Sequence, residues 1–452
     1  MSSGAARPAA PRLSQDTLST DDLLANGQGV ARDGGLVVFV TGALPGERVR
    51  VAVDAMRPTY ASAHAVEILE PSPDRVSSVC PVFPECGGCQ TLHLRYAAQL
   101  QWKRRLVVDA LDRIGKLPDA RVEDTVASPL IEETRYRNKV SLVGHVDRTR
   151  AQIGFYAARS HRLVPIARCP VLLPVLDGAV RALHAMIRKS PTLLKDVRHV
   201  VMRTGMTGET LVIALSTRTQ QPDLAASVRL FTESIPGLTG LVASWDPRNE
   251  NAILGRRTAT LWGSPDTAER VGGATFRFGV ASFFQINTPI LECIAERLTE
   301  RLRGAHRIVD LYCGVGTFAV LAGLQGIAVT GVESRAAAVD EAASNAARNG
   351  VTSAAFERAT VLEAVTGERG KTLLRGAAAV ILDPPRRGCE AETLAALGEN
   401  GVARVLYLSC NPATLARDAR HLVDCGYALR RVEPFDMFPF TGHVEVLAEF
   451  GR

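Results

Sequence analysis

The sequence predicts an α/β fold, with a doubly wound sheet at the C-terminal end behind a small β-barrel and a central α+β segment. Three observations carry this. Beyond residue 281, short apolar runs beginning near Arg307, Ile327, Ala354, Ala377 and Arg404 alternate with helix-patterned stretches, as in a series of βαβ units. Three of those runs end in polar motifs, Asp310 to Gly316, Asp383-Pro384-Pro385-Arg386 and Ser409-Cys410-Asn411-Pro412, and open α/β sheets place their ligands at such strand ends. Between Asp22 and Leu69, four β-rich runs recur with turn signals about ten residues apart, the spacing of a small barrel.

A chain of 452 residues exceeds one hydrophobic core, and 46% hydrophobic with 22% charged residues is globular composition. The net charge of +6 is compatible with a nucleic-acid partner without requiring one. Residues 1–14 are rich in Ala, Pro and Ser with no apolar segment, so they read as a flexible tail and not as a secretory signal. The most apolar long window, 308–332, is broken by Asp310 and several glycines, which argues against a membrane span. Nine cysteines, an odd number without a secretory signal, favour reduced thiols, metal ligation or catalysis over a disulfide framework. The expectation is a cytoplasmic protein with no membrane association and no obligate protein partner.

Residues 15–72 form the expected barrel, of a type often used to bind RNA, closed by the linker Pro71-Ser72-Pro73. Next comes Cys80 to Cys89, a C-x5-C-x2-C arrangement in a Pro/Gly loop where three thiols can converge on zinc or an iron-sulfur cluster. A fourth ligand is needed, and Cys169, alone between Cys89 and Cys293, is assigned to it. Residues 94–117 are helical, with Lys103, Arg104 and Arg105 interleaved either as a solvated face or as RNA contacts. Arg135-Tyr136-Arg137-Asn138-Lys139 beside a strand suits phosphate contact with base stacking, or a charged surface strand. Residues 73–280 read as a central α+β domain with an antiparallel sheet and one helix at 175–189. A helix at 289–303 then opens the doubly wound domain, 281–452, whose last runs, 427–432 and 443–450, are expected at its edge.

The chemistry concentrates at the strand ends. The turn from Asp310 to Gly316 lets backbone approach a nucleotide-like ligand, and Glu333 ends the next strand, where a carboxylate can accept both ribose hydroxyls. The loop is neither G-x-G-x-x-G nor a phosphate loop, so S-adenosylmethionine (SAM) fits better than a nucleoside triphosphate. Cys410, delivered at a strand end and followed by Asn-Pro, is the candidate nucleophile. Alternation leaves Glu445 facing either solvent or the site, with solvent the safer reading.

Taken together, these motifs resemble the RNA (uracil-5-)-methyltransferases that modify ribosomal and transfer RNA. The resemblance covers nearly the whole chain: a TRAM-type barrel, the cysteine loop with Cys169, Ser282-Phe283-Phe284-Gln285, Asp310 to Gly316, Asp383 to Arg386, Ser409 to Thr414, and Thr441-Gly442-His443-Val444-Glu445. It implies a Rossmann-like SAM-methyltransferase domain in which the Cys410 thiolate attacks C6 of uracil, C5 takes the methyl group, and Glu445 is the base that removes the C5 proton. It also implies SAM contacts at Gln285, Tyr312, Glu333 and Asp383, with Thr317 and Thr360 near further contacts, and Phe283 or Phe284 lining the pocket of an unstacked base. The cysteine loop resembles the family's [4Fe-4S] ligands, Cys80, Cys86, Cys89 and Cys169, which makes zinc the lesser option. A barrel combined with a cluster is closest to the enzymes acting on 23S rRNA, with tRNA the runner-up substrate and a non-catalytic RNA-binding assembly factor the reading outside enzymology. One departure is Tyr312 and Thr317, where the ribosomal subgroup often carries Phe and Asn.

Overall fold

The computed structural model describes residues 13–130, 134–146, 151–217, 227–246 and 252–452. The expected N-terminal tail lies outside the described residues as far as residue 12. The chain divides into two compact units, one running to Trp102 and including Phe440–Gly442, the other comprising Lys103–Pro439 and His443–Arg452.

In the first unit, β1 (Thr17–Leu23), β2 (Gln28–Asp33), β3 (Leu36–Thr41), β4 (Arg48–Met56) and β5 (Tyr60–Glu70) close a barrel in the order β1-β2-β3-β5-β4. Alternate residues, among them Val38, Val40, Val49, Val51, Ala61 and Ala63, turn inward and fill it, the period of two that a half-buried strand requires. Strand β1 is not among the four expected runs. Its Asp21 and Asp22 mask the pattern, yet Leu18, Thr20 and Leu23 point inward, and its pairing with both β2 and β4 closes the ring.

Helix α1 (Tyr96–Arg113) contains the division between the units. In the second unit, β6 (Lys139–Val146), β7 (Ala151–Tyr156), β8 (Leu163–Pro165), α2 (Pro174–Lys189), β9 (Val197–Thr204), β10 (Leu211–Thr217), α3 (Val228–Ser234), β11 (Gly240–Trp245) and β12 (Arg257–Gly263) build a seven-stranded sheet ordered β12-β11-β10-β9-β6-β7-β8. It departs from the expected antiparallel sheet at one place. Strands β10 and β11 run parallel, because the connection carrying α3 is long enough to cross over. A hairpin follows, β13 (Asp266–Val271) and β14 (Ala274–Gly279), turned by Gly272 and Gly273 at φ +55° and +81°, values only glycine adopts freely.

The remaining elements are α4 (Thr288–Arg301), β15 (Arg307–Leu311), α5 (Thr317–Leu324), β16 (Ala328–Glu333), α6 (Ala336–Arg348), β17 (Ala354–Arg358), α7 (Val361–Val365), α8 (Gly367–Leu374), β18 (Ala379–Leu382), α9 (Ala391–Glu399), β19 (Arg404–Ser409), α10 (Pro412–Asp424), β20 (Ala428–Phe435) and β21 (Glu445–Gly451). Their sheet is ordered β17-β16-β15-β18-β19-β21-β20, with the first five strands parallel and both faces covered by apolar cores. The doubly wound fold is therefore as the sequence predicts. The strand order reverses beside β15, which puts the ends of β15, β18 and β19 side by side at one edge. Of the last two strands, β20 alone lies at an edge, opposite β17 at the other end. Strand β21 is inserted antiparallel between β19 and β20, which its burial on both faces explains.

Lys103 is neither solvated nor placed for RNA. Its side chain is fully buried, its ammonium pairs with the equally buried Asp436, and it donates to the Phe438 carbonyl at 2.9 Å. Burial pushes its pKa down, with Asp436 opposing the shift. Losing one partner strands the other charge in a dry site, so Lys103→Met is expected to cost about 3–5 kcal/mol in urea denaturation. A loss below about 1 kcal/mol, the value of an exposed pair, would contradict that burial.

Candidate active site

Strand β19 ends at Ser409, and Asn411 caps α10 by accepting from the Ala413 N–H at 3.1 Å, with Pro412 at the first helical position. This stop-and-start leaves Cys410 half-buried in the turn between strand and helix. Burial pushes its thiol up to about 11, the negative charge of Glu445 adds to the shift, and the Arg386 guanidinium opposes it. The turn is tied to the Asp383-Pro384-Pro385-Arg386 loop through one atom. The Arg386 carbonyl accepts from Asn411 Nδ2 at 3.2 Å and from Thr414 Oγ1 at 3.3 Å.

Glu445 opens β21, and here the sheet register decides what alternation could not. Ser409 pairs with Val446, so the next antiparallel step sets Glu445 opposite Cys410. Glu445 is 1% exposed, so the reading of a solvent-facing side chain is overturned by the insertion of β21 into the sheet. Its carboxyl is held well above the ordinary range by burial, with the Asp383 charge adding and Arg386 opposing. Asp383 itself is pushed up by burial. The two carboxyls therefore share a site where one proton is retained more readily than in water. Two side chains that sequence reasoning left unassigned complete the group. The Arg386 guanidinium lies 2.8 Å from His443 Nδ1, and partial burial followed by Arg386, Lys103 and Arg137 holds His443 down to about 4. The imidazole beside Arg386 is thus held neutral. Arg386 and His443 both stand in motifs that the sequence marks, Asp383 to Arg386 and Thr441 to Glu445, but with no role of their own there.

The neighbouring strand ends form a cradle. Tyr312 adopts φ +64°, left-handed backbone that a bulky side chain rarely takes, and its hydroxyl donates to Glu390 Oε2 at 3.4 Å. Gly316 sits at φ +82°, and a Cβ there would stand 3.0 Å from Ala342, so glycine is required twice over. Thr317 begins α5. Glu333 ends β16, and its Oε1 accepts from Ser334 Oγ and the Arg335 N–H. Asp310 is wholly buried, and burial, then Asp383, pushes it up to about 8, with the backbone N–H of Ala319 opposing. A glycine-lined loop, a carboxylate on the adjacent strand and a second carboxyl buried at the strand end fit a cationic nucleoside such as SAM. Thr360 is exposed, and with Glu363 it makes a capping box on α7, which by itself accounts for a threonine there.

Gln285 is 8% exposed in the loop between β14 and α4. Phe284 is buried and stacks on Phe278 at 4.3 Å between ring centroids, whereas Phe283 is 66% exposed. Phe283 is therefore the exposed ring of the pair. Tyr136 is 1% exposed and its hydroxyl donates to the Pro439 carbonyl at 3.1 Å, so the expected stacking role for it fails. Arg135 beside it is exposed.

Cys80, Cys86 and Cys89 lie half-buried in the first unit and Cys169 half-buried in the second. Cys86 accepts from the Gly88 N–H at 3.4 Å, and burial, with Cys80 adding, raises its pKa. Among the described residues no three Cys, His, Asp or Glu side chains gather closely enough to hold a metal ion.

Comparison with known proteins places this geometry. A family model described as tRNA (uracil-5-)-methyltransferase matches residues 269–448, and the TRAM domain model matches residues 18–66. An uncharacterized RNA methyltransferase of Halalkalibacterium halodurans is 34% identical over 447 residues, 95% of each chain. Another from Thermosynechococcus vestitus is 37% identical over 444 residues, 95% of this chain and 96% of that one. The crystal structure of Pyrococcus abyssi tRNA (uracil-54, C5)-methyltransferase with S-adenosyl-L-homocysteine superposes with a TM-score of 0.76 at 26% identity, covering 97% of this chain and 100% of that one. Fold and site thus define a SAM-dependent RNA methyltransferase with an RNA-binding TRAM barrel. The chain belongs to the RNA (uracil-5-)-methyltransferase family.

Proposed function

We propose that this enzyme makes 5-methyluridine in 23S rRNA through a covalent adduct between Cys410 and C6 of the target uracil. The observation that carries the mechanism is the register that sets Glu445 opposite Cys410, with Arg386 beside both. The C5 position of uracil is a poor nucleophile. Attack of the Cys410 thiolate on C6 moves the electron pair of the C5–C6 double bond onto C5 and O4 as an enolate, and C5 can then take a methyl cation equivalent, which SAM supplies. Glu445 removes the C5 proton, and the electrons of that C–H bond restore the double bond as the thiolate leaves C6. Arg386 favours both anionic partners, and Gln285, Tyr312, Glu333 and Asp383 hold the cofactor, with Thr317 and Thr360 at its margin. Phe283 stacks on the extruded base or the gap it leaves.

The substrate reading rests on the barrel and cysteine loop occurring together. The P. abyssi likeness favours tRNA as the second reading. Nucleoside mass spectrometry after incubation with labelled SAM and separated ribosomal and transfer RNA decides between them. Label in 5-methyluridine of 23S rRNA supports the proposal, label in tRNA alone replaces the substrate and keeps the chemistry, and label in neither points to a non-catalytic assembly factor.

The cysteine loop is proposed to bind a structural [4Fe-4S] cluster through Cys80, Cys86, Cys89 and Cys169, on the chemistry of four thiols outside a disulfide framework. Protein purified without oxygen is expected to be brown, with about four iron and four sulfide per chain that Cys86→Ala loses. Zinc at one per chain, without sulfide, would assign the loop to zinc.

A further inference from the structure

The loop Ser282–Asn287 carries both Gln285 and Phe283, and almost nothing in its own sequence fixes its shape: the residues between Phe283 and Gln285 belong to no helix or strand. Its backbone is gripped from the seven-stranded sheet of the central domain. Arg203, near the end of β9, is 0% exposed and donates from one terminal nitrogen to the Ser282 carbonyl at 2.6 Å and from the other to the Phe284 carbonyl at 3.0 Å. Its guanidinium lies 4.3 Å from the centroid of the Phe278 ring, and Phe278 in turn stacks on Phe284. Asn138, immediately before β6 and also 0% exposed, donates from Nδ2 to the Gln285 carbonyl at 3.2 Å, and its backbone N–H donates to the Ile286 carbonyl at 3.0 Å. Four carbonyls of the loop are thus held by two residues remote in sequence.

The cost of this arrangement marks it as more than packing. A buried guanidinium with no carboxylate in hydrogen-bond contact is expensive, and burial pushes the pKa of Arg203 down to about 9 despite the more distant charges of Glu269 and Glu341. Its Nε has no partner. A leucine or methionine would fill the same volume at less cost, but neither could bridge two carbonyls two residues apart. Pinning Ser282 and Phe284 to the same side turns the intervening side chain the other way, which is why Phe284 packs inward on Phe278 and Phe283 is left 66% exposed.

We infer that Arg203 and Asn138 are positioning residues of the methyl-transfer site, a clamp by which the central sheet sets the cofactor contact at Gln285 and the outward aim of Phe283. This rests on the reading of Gln285 as a SAM contact, and the test keeps the two separable. Arg203→Lys retains the charge and loses the two-carbonyl bridge, Asn138→Ser removes one donor without touching charge, and Gln285→Ala removes the contact itself. Steady-state kinetics on the full-length enzyme should show Arg203→Lys raising KM for SAM about tenfold while kcat falls less than about threefold, with Asn138→Ser in the same direction and smaller. The double variant Arg203→Lys with Gln285→Ala should be no worse in KM for SAM than Gln285→Ala alone, since a residue acting through another adds nothing once that one is gone. Hydrogen exchange of the 279–288 peptide, expected to quicken in Arg203→Lys at an unchanged unfolding midpoint, reads the loop directly and separates a loosened clamp from a failed fold. If Gln285→Ala raises KM and Arg203→Lys leaves it unchanged, or if their effects multiply, the clamp is wrong and the cofactor reading stands. If Gln285→Ala has no effect on KM for SAM, the cofactor reading falls and takes this inference with it.

Discussion

Replacing Cys410 with alanine is expected to abolish 5-methyluridine formation, a loss of at least about 10⁴-fold in kcat, while SAM affinity stays within about twofold, because the thiolate makes the bond that activates C5 and lies outside the cofactor cradle. The same variant should form no adduct with 5-fluorouridine RNA, in which the fluorine cannot leave as a proton does. Residual turnover above a hundredth of the unsubstituted rate would mean that another group attacks C6. The state of the resting thiol has its own signature. A pKa raised to about 11 leaves the group protonated below that value, with about one molecule in 10⁴ ionised at pH 7. Alkylation of the Cys410 peptide by iodoacetamide should therefore climb about tenfold per pH unit and show no plateau below pH 9. Arg386→Gln removes the one neighbour that favours the thiolate, so it should slow alkylation at every pH in that range. A plateau near pH 8 would show that the site activates the thiol without RNA. Its absence fits an enzyme that generates its nucleophile only once the substrate is seated.

What the sequence disclosed and what it hid follow from the range of the interactions involved. Strands β15, β18 and β19 were legible because each is a short apolar run halted by a turn signal, and parallel strands buried on both faces carry no polar alternation to confuse the pattern. Their convergence followed from the connectivity rule alone. Glu445 was ambiguous because period-two alternation on an interior strand does not say which face holds the site; only the pairing of Ser409 with Val446, thirty-seven positions apart, fixes it. Lys103 misled for a related reason. A lysine among arginines on a helix reads as surface, and the carboxylate that draws it inside, Asp436, is 333 residues away in sequence. Tyr136 reads as a stacking ring between two arginines until its hydroxyl is seen to be spent on Pro439. Asp21 and Asp22 hid β1 because a shift of register between Thr20 and Asp22 leaves both side chains exposed and breaks the period of two. The clamp was hidden as well: Asn138 stands in a stretch read for phosphate contact and Arg203 in none, since backbone carbonyls are the same in every sequence.

Glu445→Gln is expected to stop turnover and leave the RNA attached to the enzyme. Attack on C6 needs only that the Cys410 thiol give its proton to water, and methyl transfer to C5 needs no base, so both proceed without Glu445; the C5 proton then has no acceptor, and the thiolate cannot leave by elimination. The product is an adduct stable to denaturing electrophoresis, its mass including the transferred methyl group. Removing the negative charge opposite Cys410 also removes the second-largest influence that holds its thiol high, so the adduct should form at lower pH than in the unsubstituted enzyme. Loss of activity without an adduct, in protein that still binds SAM, would assign the proton abstraction to a different group and leave Glu445 an organiser of the site. In the unsubstituted enzyme the raised carboxyl has a kinetic consequence of definite sign. Only the ionised form of Glu445 accepts a proton, and burial with Asp383 lifts its pKa above the ordinary carboxylate range, so kcat should fall as pH drops through that raised value. Arg386→Gln should move that acid limb further up, because the guanidinium is the one neighbour that favours the carboxylate, as it does the thiolate. A single cation thus sets the ionisation of nucleophile and base together.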